Sequence, residues 1–215
     1  MKKVFALVCV LAVGSLVLLS CKKKTTTSSS SSSTTGSTTG STVNINSTPQ
    51  VSYNLSGTSH SYVSNGSTIV SGSSVDKNVN TSPTPSTVIF YADISNSSGS
   101  QTYLTIKKGQ LAFSGSSTPD STTFKNYFAP GMYNYSSGAV NGIEITMYDG
   151  STLWSTGTGS QTGSTFNIVS SKSTWALGTQ YMKFYATFTC TLYDPSGLNP
   201  KTITSGVYVG EFGNI

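Results

Sequence analysis

From Gln50 onward, apolar residues recur at every second position, the period of a strand with one face in a core. Val51, Tyr53 and Leu55 alternate with Ser and Asn. Ser61-Tyr62-Val63 and Ser67-Thr68-Ile69-Val70 flank Asn65-Gly66, which predicts a hairpin because both turn residues tolerate positive φ. Asn80 to Ser86, with Pro83 and Pro85, reads as a loop, and Thr87 to Ile94 is apolar on both faces, as in a central strand. Thr102 to Lys107 answers it, and Gly109 to Phe113 reads as a short further strand. Ile143, Ile145 and Met147 alternate with Glu144, Thr146 and Tyr148 before Asp149-Gly150 turns the chain back through Leu153-Trp154. That turn puts Trp154 on the core face, beside Met147 or Ile145.

Thr165 to Ser170 is another strand. Tyr181 to Tyr193 is the longest, with Met182, Phe184, Ala186, Phe188, Cys190 and Leu192 on one face, and Lys201 to Phe212 closes the chain. Only Thr118 to Pro130 admits a helical turn, at Thr123–Phe128. The pattern predicts an all-β fold: an antiparallel β-sandwich, Ig-like or jelly-roll-like, of about nine or ten short strands.

Two earlier stretches break this period. Met1-Lys2-Lys3 is basic, Val4 to Leu19 is an apolar run, and Ser20 stands directly before Cys21. Charged start, apolar run and small-residue cleavage site make a secretory leader. Leu18-Leu19-Ser20-Cys21 also resembles the lipobox of bacterial lipoproteins, which implies that the Cys21 thiol is acylated and becomes the new N-terminus. Thr25 to Thr42 contains only Ser, Thr and Gly and has nothing to bury against the entropy of ordering. The expected organisation is a signal peptide over 1–20, a lipidated cysteine and flexible tether over 21–49, and a sandwich over 50–215. Lys22 to Thr42 would span about 25 Å r.m.s. as a flexible linker.

The formal net charge of +5 belongs to the leader and anchor, because from Val43 onward seven lysines balance seven acids. No basic patch is left for a nucleic-acid backbone, and the chain has no arginine for bidentate phosphate contacts, so nucleic-acid binding is excluded. Of three cysteines, only Cys190 falls in the expected sandwich, where it reads as a small buried hydrophobe with no disulfide partner.

Nothing in the sequence assembles catalytic, metal or cofactor chemistry. His60, the only histidine, lies between Ser59 and Ser61, but serine is so abundant that the pairing carries no information. The acids are scattered, and Asp149-Gly150 reads as turn chemistry rather than a calcium loop. Aromatic side chains are the remaining binding signal. Tyr185 lies opposite the apolar face of its strand, with Tyr208 as its expected neighbour across the last hairpin, and Trp175 sits in a connecting segment. These three are the candidate ligand-binding residues.

Trp154 to Ser171 (WSTGTGSQTGSTFNIVSS), Lys183 to Phe212 (KFYATFTCTLYDPSGLNPKTITSGVYVGEF) and the Ser20-Cys21-Lys22-Lys23-Lys24 start are similar to small lipoproteins of the Bacteroidota. The resemblance implies an outer-membrane address and carries over no functional residue beyond Cys21. Surface-displayed lipoproteins of that group carry acidic residues after the cysteine, so Lys22-Lys23-Lys24 favours the periplasmic face. Asp120-Ser121-Thr122 is similar to their short O-glycosylation signal, which makes Ser121 a candidate acceptor. The expectation is a monomeric, lipid-anchored envelope protein with a non-enzymatic binding or scaffolding domain and no cofactor. Its expected partners are the membrane, through the lipid, and a glycan or envelope protein. A carbohydrate-binding module for glycan capture is the second reading. An envelope hydrolase, resting on His60 and the scattered acids, is the third.

Overall fold

Alternation becomes burial along nearly every strand. The computed structural model describes residues 43–115, 117–136 and 141–215, so the leader, Cys21 and the Ser/Thr tract lie outside the described residues. The strands are β1 (Gln50–Leu55), β2 (Thr58–Val63), β3 (Ile69–Asn78), β4 (Ser86–Asn96), β5 (Thr102–Phe113) and β6 (Gly131–Met132). They continue with β7 (Ile143–Tyr148), β8 (Leu153–Ser155), β9 (Thr165–Ala176), β10 (Thr179–Leu192) and β11 (Lys201–Asn214). One helix, α1 (Ser121–Tyr127), precedes β6.

The strands form two antiparallel sheets, a β-sandwich, ordered β2-β1-β11-β10-β9-β6 and β3-β4-β5-β7-β8. Along β10, Met182, Phe184, Ala186, Phe188, Cys190 and Leu192 are all buried while the residues between them are half-exposed, which is the expected one-faced strand. Trp154 pairs directly with Met147 and is buried, as the Asp149-Gly150 turn requires. Phe90, Ile94, Leu104, Ile106, Ile143 and Ile145 supply the facing side of the core. Residues Ser41–Ile215 form one compact unit that holds this core complete.

The helix closes one end of the sandwich. Asp120 caps it, accepting from the Thr122 and Thr123 amides at 2.9 and 3.0 Å, which satisfies donors that a helix start leaves free. Phe124 and Phe128 are fully buried, with Phe128 stacked on Phe212 at 4.5 Å and Phe212 on Phe184 at 4.6 Å.

Two local expectations are corrected. Asn65-Gly66 does not join a hairpin: β2 ends one sheet and β3 the other, so the segment crosses between sheets. Its loop closes on itself, with Asn65 Oδ1 accepting from the amides of Ser67, Thr68 and Ile69, so the turn residues serve the loop, and β2 pairs with β1 and β3 with β4 rather than with each other. The second correction is the phase of β11. Register slips between Phe188 and Cys190, opposite Ser205, which takes a φ of 53°. This bulge carries the inward face from Ile203 to Gly206, Tyr208 and Phe212. Upstream of β1, the Pro49 carbonyl accepts from the Ser64 amide and the Ser47 carbonyl from Lys183 Nζ, fastening the start of the unit to its sheet.

Candidate functional site: a buried lysine in an asparagine-lined recess

On β5, Leu104, Ile106 and Lys108 share the inward face. Two positions of that series hold core hydrophobes, and the third holds a lysine with only 1% of its surface exposed. Lys108 pairs with Phe90 on one side and Ile143 on the other, so its stem runs along the apolar layer toward the end covered by α1. The ammonium lies 3.8 Å from the Tyr127 ring centroid and 4.2 Å from that of Tyr133. Both rings present their electron-rich faces to the cation. Asn141 Oδ1, at 3.4 Å, is its hydrogen-bond acceptor.

The two tyrosines are held in place by their hydroxyls. Tyr127 donates to the Gly109 carbonyl, and Tyr133 donates to the Ala129 carbonyl at 2.5 Å. Burial pushes both phenols above their ordinary range, so they stay protonated. Lys108 responds in the opposite direction: loss of water brings its ammonium down from 10.5 to about 8. Among the described residues it has no carboxylate partner; the neighbouring Lys107 turns outward and takes Glu144 at 3.1 Å. A buried cation without an opposite charge is costly to keep.

The recess above this cation has a volume of about 310 Å³, at the lower edge of ordinary ligand pockets. Asn126, Asn134 and Asn141 line it together with Met132, which is 65% exposed at the rim. These residues come from the end of α1, from β6 and the segment after it, and from just before β7. The chain therefore brings three carboxamides, each able to donate and accept, around one ammonium. No protein-family model, curated protein or solved structure matches the chain. The site must be read from its own chemistry.

The residues singled out from sequence fall elsewhere. Trp175 is corrected: it lies not in a connecting segment but in β9, paired with Gln180 and 66% exposed, away from the lysine recess. Tyr185 is half-exposed on the outer face of β10, among Lys183 and Thr187 as expected. Tyr208 is corrected: it is fully buried and pairs with Ala186, because the Ser205 bulge turns it inward, so it offers no stacking surface. Ser121 is half-buried in the first turn of α1, where Asp120 is already engaged as the cap. Cys190 is buried and free. His60 stacks on Tyr53 at 5.3 Å, and its Nδ1 lies 3.3 Å from the Tyr62 hydroxyl. Tyr62 stacks in turn on Tyr103 at 3.8 Å, so the histidine belongs to an aromatic seam between the sheets. Among the described residues no three His, Cys, Asp or Glu side chains converge on a metal position.

Lys108 was missed because Gly109 interrupts the alternation just after it and made Lys107-Lys108 look like a strand end. The signal was present in the Leu104–Ile106–Lys108 spacing, which puts the second lysine inside. The three asparagines carry no such periodicity.

Proposed function

We propose that this chain is a lipid-anchored envelope protein, held at the outer membrane through acylated Cys21, whose sandwich binds its ligand without transforming it. The ligand is a saccharide carrying an acidic group, received in the recess at Lys108. The carrying observation is a fully buried ammonium, with no carboxylate partner among the described residues, beneath a polar, ligand-sized recess. An anion entering the recess supplies the missing charge, and the Asn126, Asn134 and Asn141 amides suit the hydroxyls flanking an acidic sugar. Binding rather than catalysis is supported by the two neighbouring phenols, which are held protonated and committed to backbone carbonyls. The periplasmic face is favoured by Lys22-Lys23-Lys24 beside the anchor.

The test is a glycan array probed with the Ser41–Ile215 unit, followed by titration of uronic-acid oligosaccharides, their neutral counterparts and simple carboxylates. Acidic saccharides should bind, and Lys108→Met should abolish that binding. Affinity should fall as pH rises past about 8, where the ammonium loses its proton. Equal binding of neutral and acidic glycans, or an unaffected Lys108→Met variant, would overturn the reading. Cys21→Ala should release the full chain from the membrane fraction, and retention there would remove the anchor.

A further inference from the structure

We propose that the tip of the β9–β10 hairpin, led by Trp175 and Leu177, is a lipid-contacting spike that seats the domain on the membrane surface. Ala176 pairs with Thr179, so the turn has two central residues, Leu177 and Gly178, with φ of 50° and 80°. Such turns favour Asn, Asp or Gly at the first central position, since positive φ strains a branched side chain. Leucine stands there instead, and its side chain is wholly exposed, at 106% of the reference surface. Trp175, two residues before it, is 66% exposed. The position thus carries both a backbone strain and an unfavourable hydration that asparagine would relieve. An apolar surface that receives the tip accounts for both.

The route of the chain indicates which surface this is. β1 starts with Gln50 opposite Val209 and runs away from the end of β11 that lies beside the tip. Residues 43–49 therefore continue toward the tip end, and Lys183, five residues from Gly178, holds the Ser47 carbonyl at 3.0 Å. Five residues of strand cover roughly 17 Å. Val79 and Ile215 are also exposed, and Lys77 Nζ bonds the Ile215 carbonyl oxygen near this end. Residues 43–49 thus lie on the same side of the domain as the spike. Tryptophan suits the headgroup level, where its ring is buried and its indole N–H stays wet, while leucine goes deeper. A tether that already holds the domain close makes a weak second contact effective. The side on which the membrane lies rests on the Cys21 anchor reading; the affinity of the tip for lipid does not.

The Ser41–Ile215 unit is mixed with phosphatidylethanolamine–phosphatidylglycerol vesicles containing brominated acyl chains. The two tryptophans are separated by variants: Trp154→Phe leaves Trp175, and Trp175→Phe leaves the buried Trp154. Trp175 fluorescence should be quenched and blue-shifted, with Trp154 unchanged. Leu177→Asn, which suits the turn and preserves the fold, should lower vesicle partitioning roughly tenfold or more. Unquenched Trp175 in vesicle-bound lipidated full chain, or unchanged partitioning of Leu177→Asn, would overturn the proposal. So would tip-dependent self-association in sedimentation velocity without vesicle binding, which makes the occupant a second copy. If Trp175 is quenched in the unit but the full chain is soluble, the anchor reading fails and the spike stands.

Discussion

Phe188 of β10 stands directly opposite Gly206 of β11, and its ring fills the space that a side chain at 206 would need: a Cβ built there would lie 2.6 Å from the ring. The ring covers the backbone that glycine leaves bare, a cross-strand arrangement that stabilises glycine within a sheet. Gly206→Ala should therefore force Phe188 off its position and destabilise the domain by about 1–3 kcal/mol. Urea unfolding of the two proteins, compared at equal m-value, measures the cost. A change within ±0.5 kcal/mol would show that the ring yields freely.

Lys108 makes the fold less stable at neutral pH than an apolar residue would. Its ammonium is brought down to about 8 in the folded state from an ordinary 10.5. Below pH 8 both states hold the proton, and the folded state carries the buried charge at a cost. Between pH 8 and 10.5 the unfolded chain keeps a proton that the folded chain has released, so stability rises with pH. Lys108→Met should be more stable than the parent at pH 7 by about 1–3 kcal/mol, after allowing for the lost tyrosine contacts. The advantage should shrink as pH climbs to 10.5. Urea midpoints of both proteins across pH 6–10.5 test this, and a pH-independent difference would count against it.

Tyr208 is fully buried, and its hydroxyl has no hydrogen-bond partner among the described residues. Burial, with Asp93 and Glu211 nearby, holds the phenol far above its ordinary range. Tyr208→Phe should be neutral or stabilising by up to about 1 kcal/mol, because it removes an unsatisfied polar atom without changing the packing. Tyr208→Ala should cost about 3–5 kcal/mol. Tyr185→Ala, on the half-exposed outer face, should move thermal stability far less.

Cys190 is 1% exposed, and burial pushes its thiol up to about 12. Iodoacetamide at pH 8 should leave it unmodified in the native Ser41–Ile215 unit and alkylate it fully in urea. Mass spectrometry of the native sample counts the adducts, and fast native labelling would show that the strand opens.

Legibility in the sequence followed the length of uninterrupted alternation. Six alternate apolar residues make the inward face of β10 readable without a structure, and the turn at Asp149-Gly150 carries that logic to Trp154. The helical turn at Thr123–Phe128 was readable because the chain around it shows no strand period; the Asp120 cap that starts the helix at Ser121 came only with the structure. What escaped was decided by single residues. Ser205 adopts positive φ without being Gly or Asn, so strict counting along β11 leaves Tyr208 on the wrong face. Gly109 hid Lys108 in the same way, and its neighbouring asparagines are gathered only by the fold. The Asn65-Gly66 turn was recognised, but whether its flanking strands pair with each other depends on sheet-to-sheet packing, which a local dipeptide does not encode.

The place of β11 governs how the molecule can be made. It is the last strand in sequence and sits between β1 and β10 in the larger sheet. Until residues 201–214 have paired, β1–β2 and β9–β10 are two hairpins with open edges and no strand to join them. The halves of that sheet come together in one late, long-range closure, which is slow compared with local pairing. A chain of this design keeps its larger sheet in two parts until residues 201–214 take their place between them.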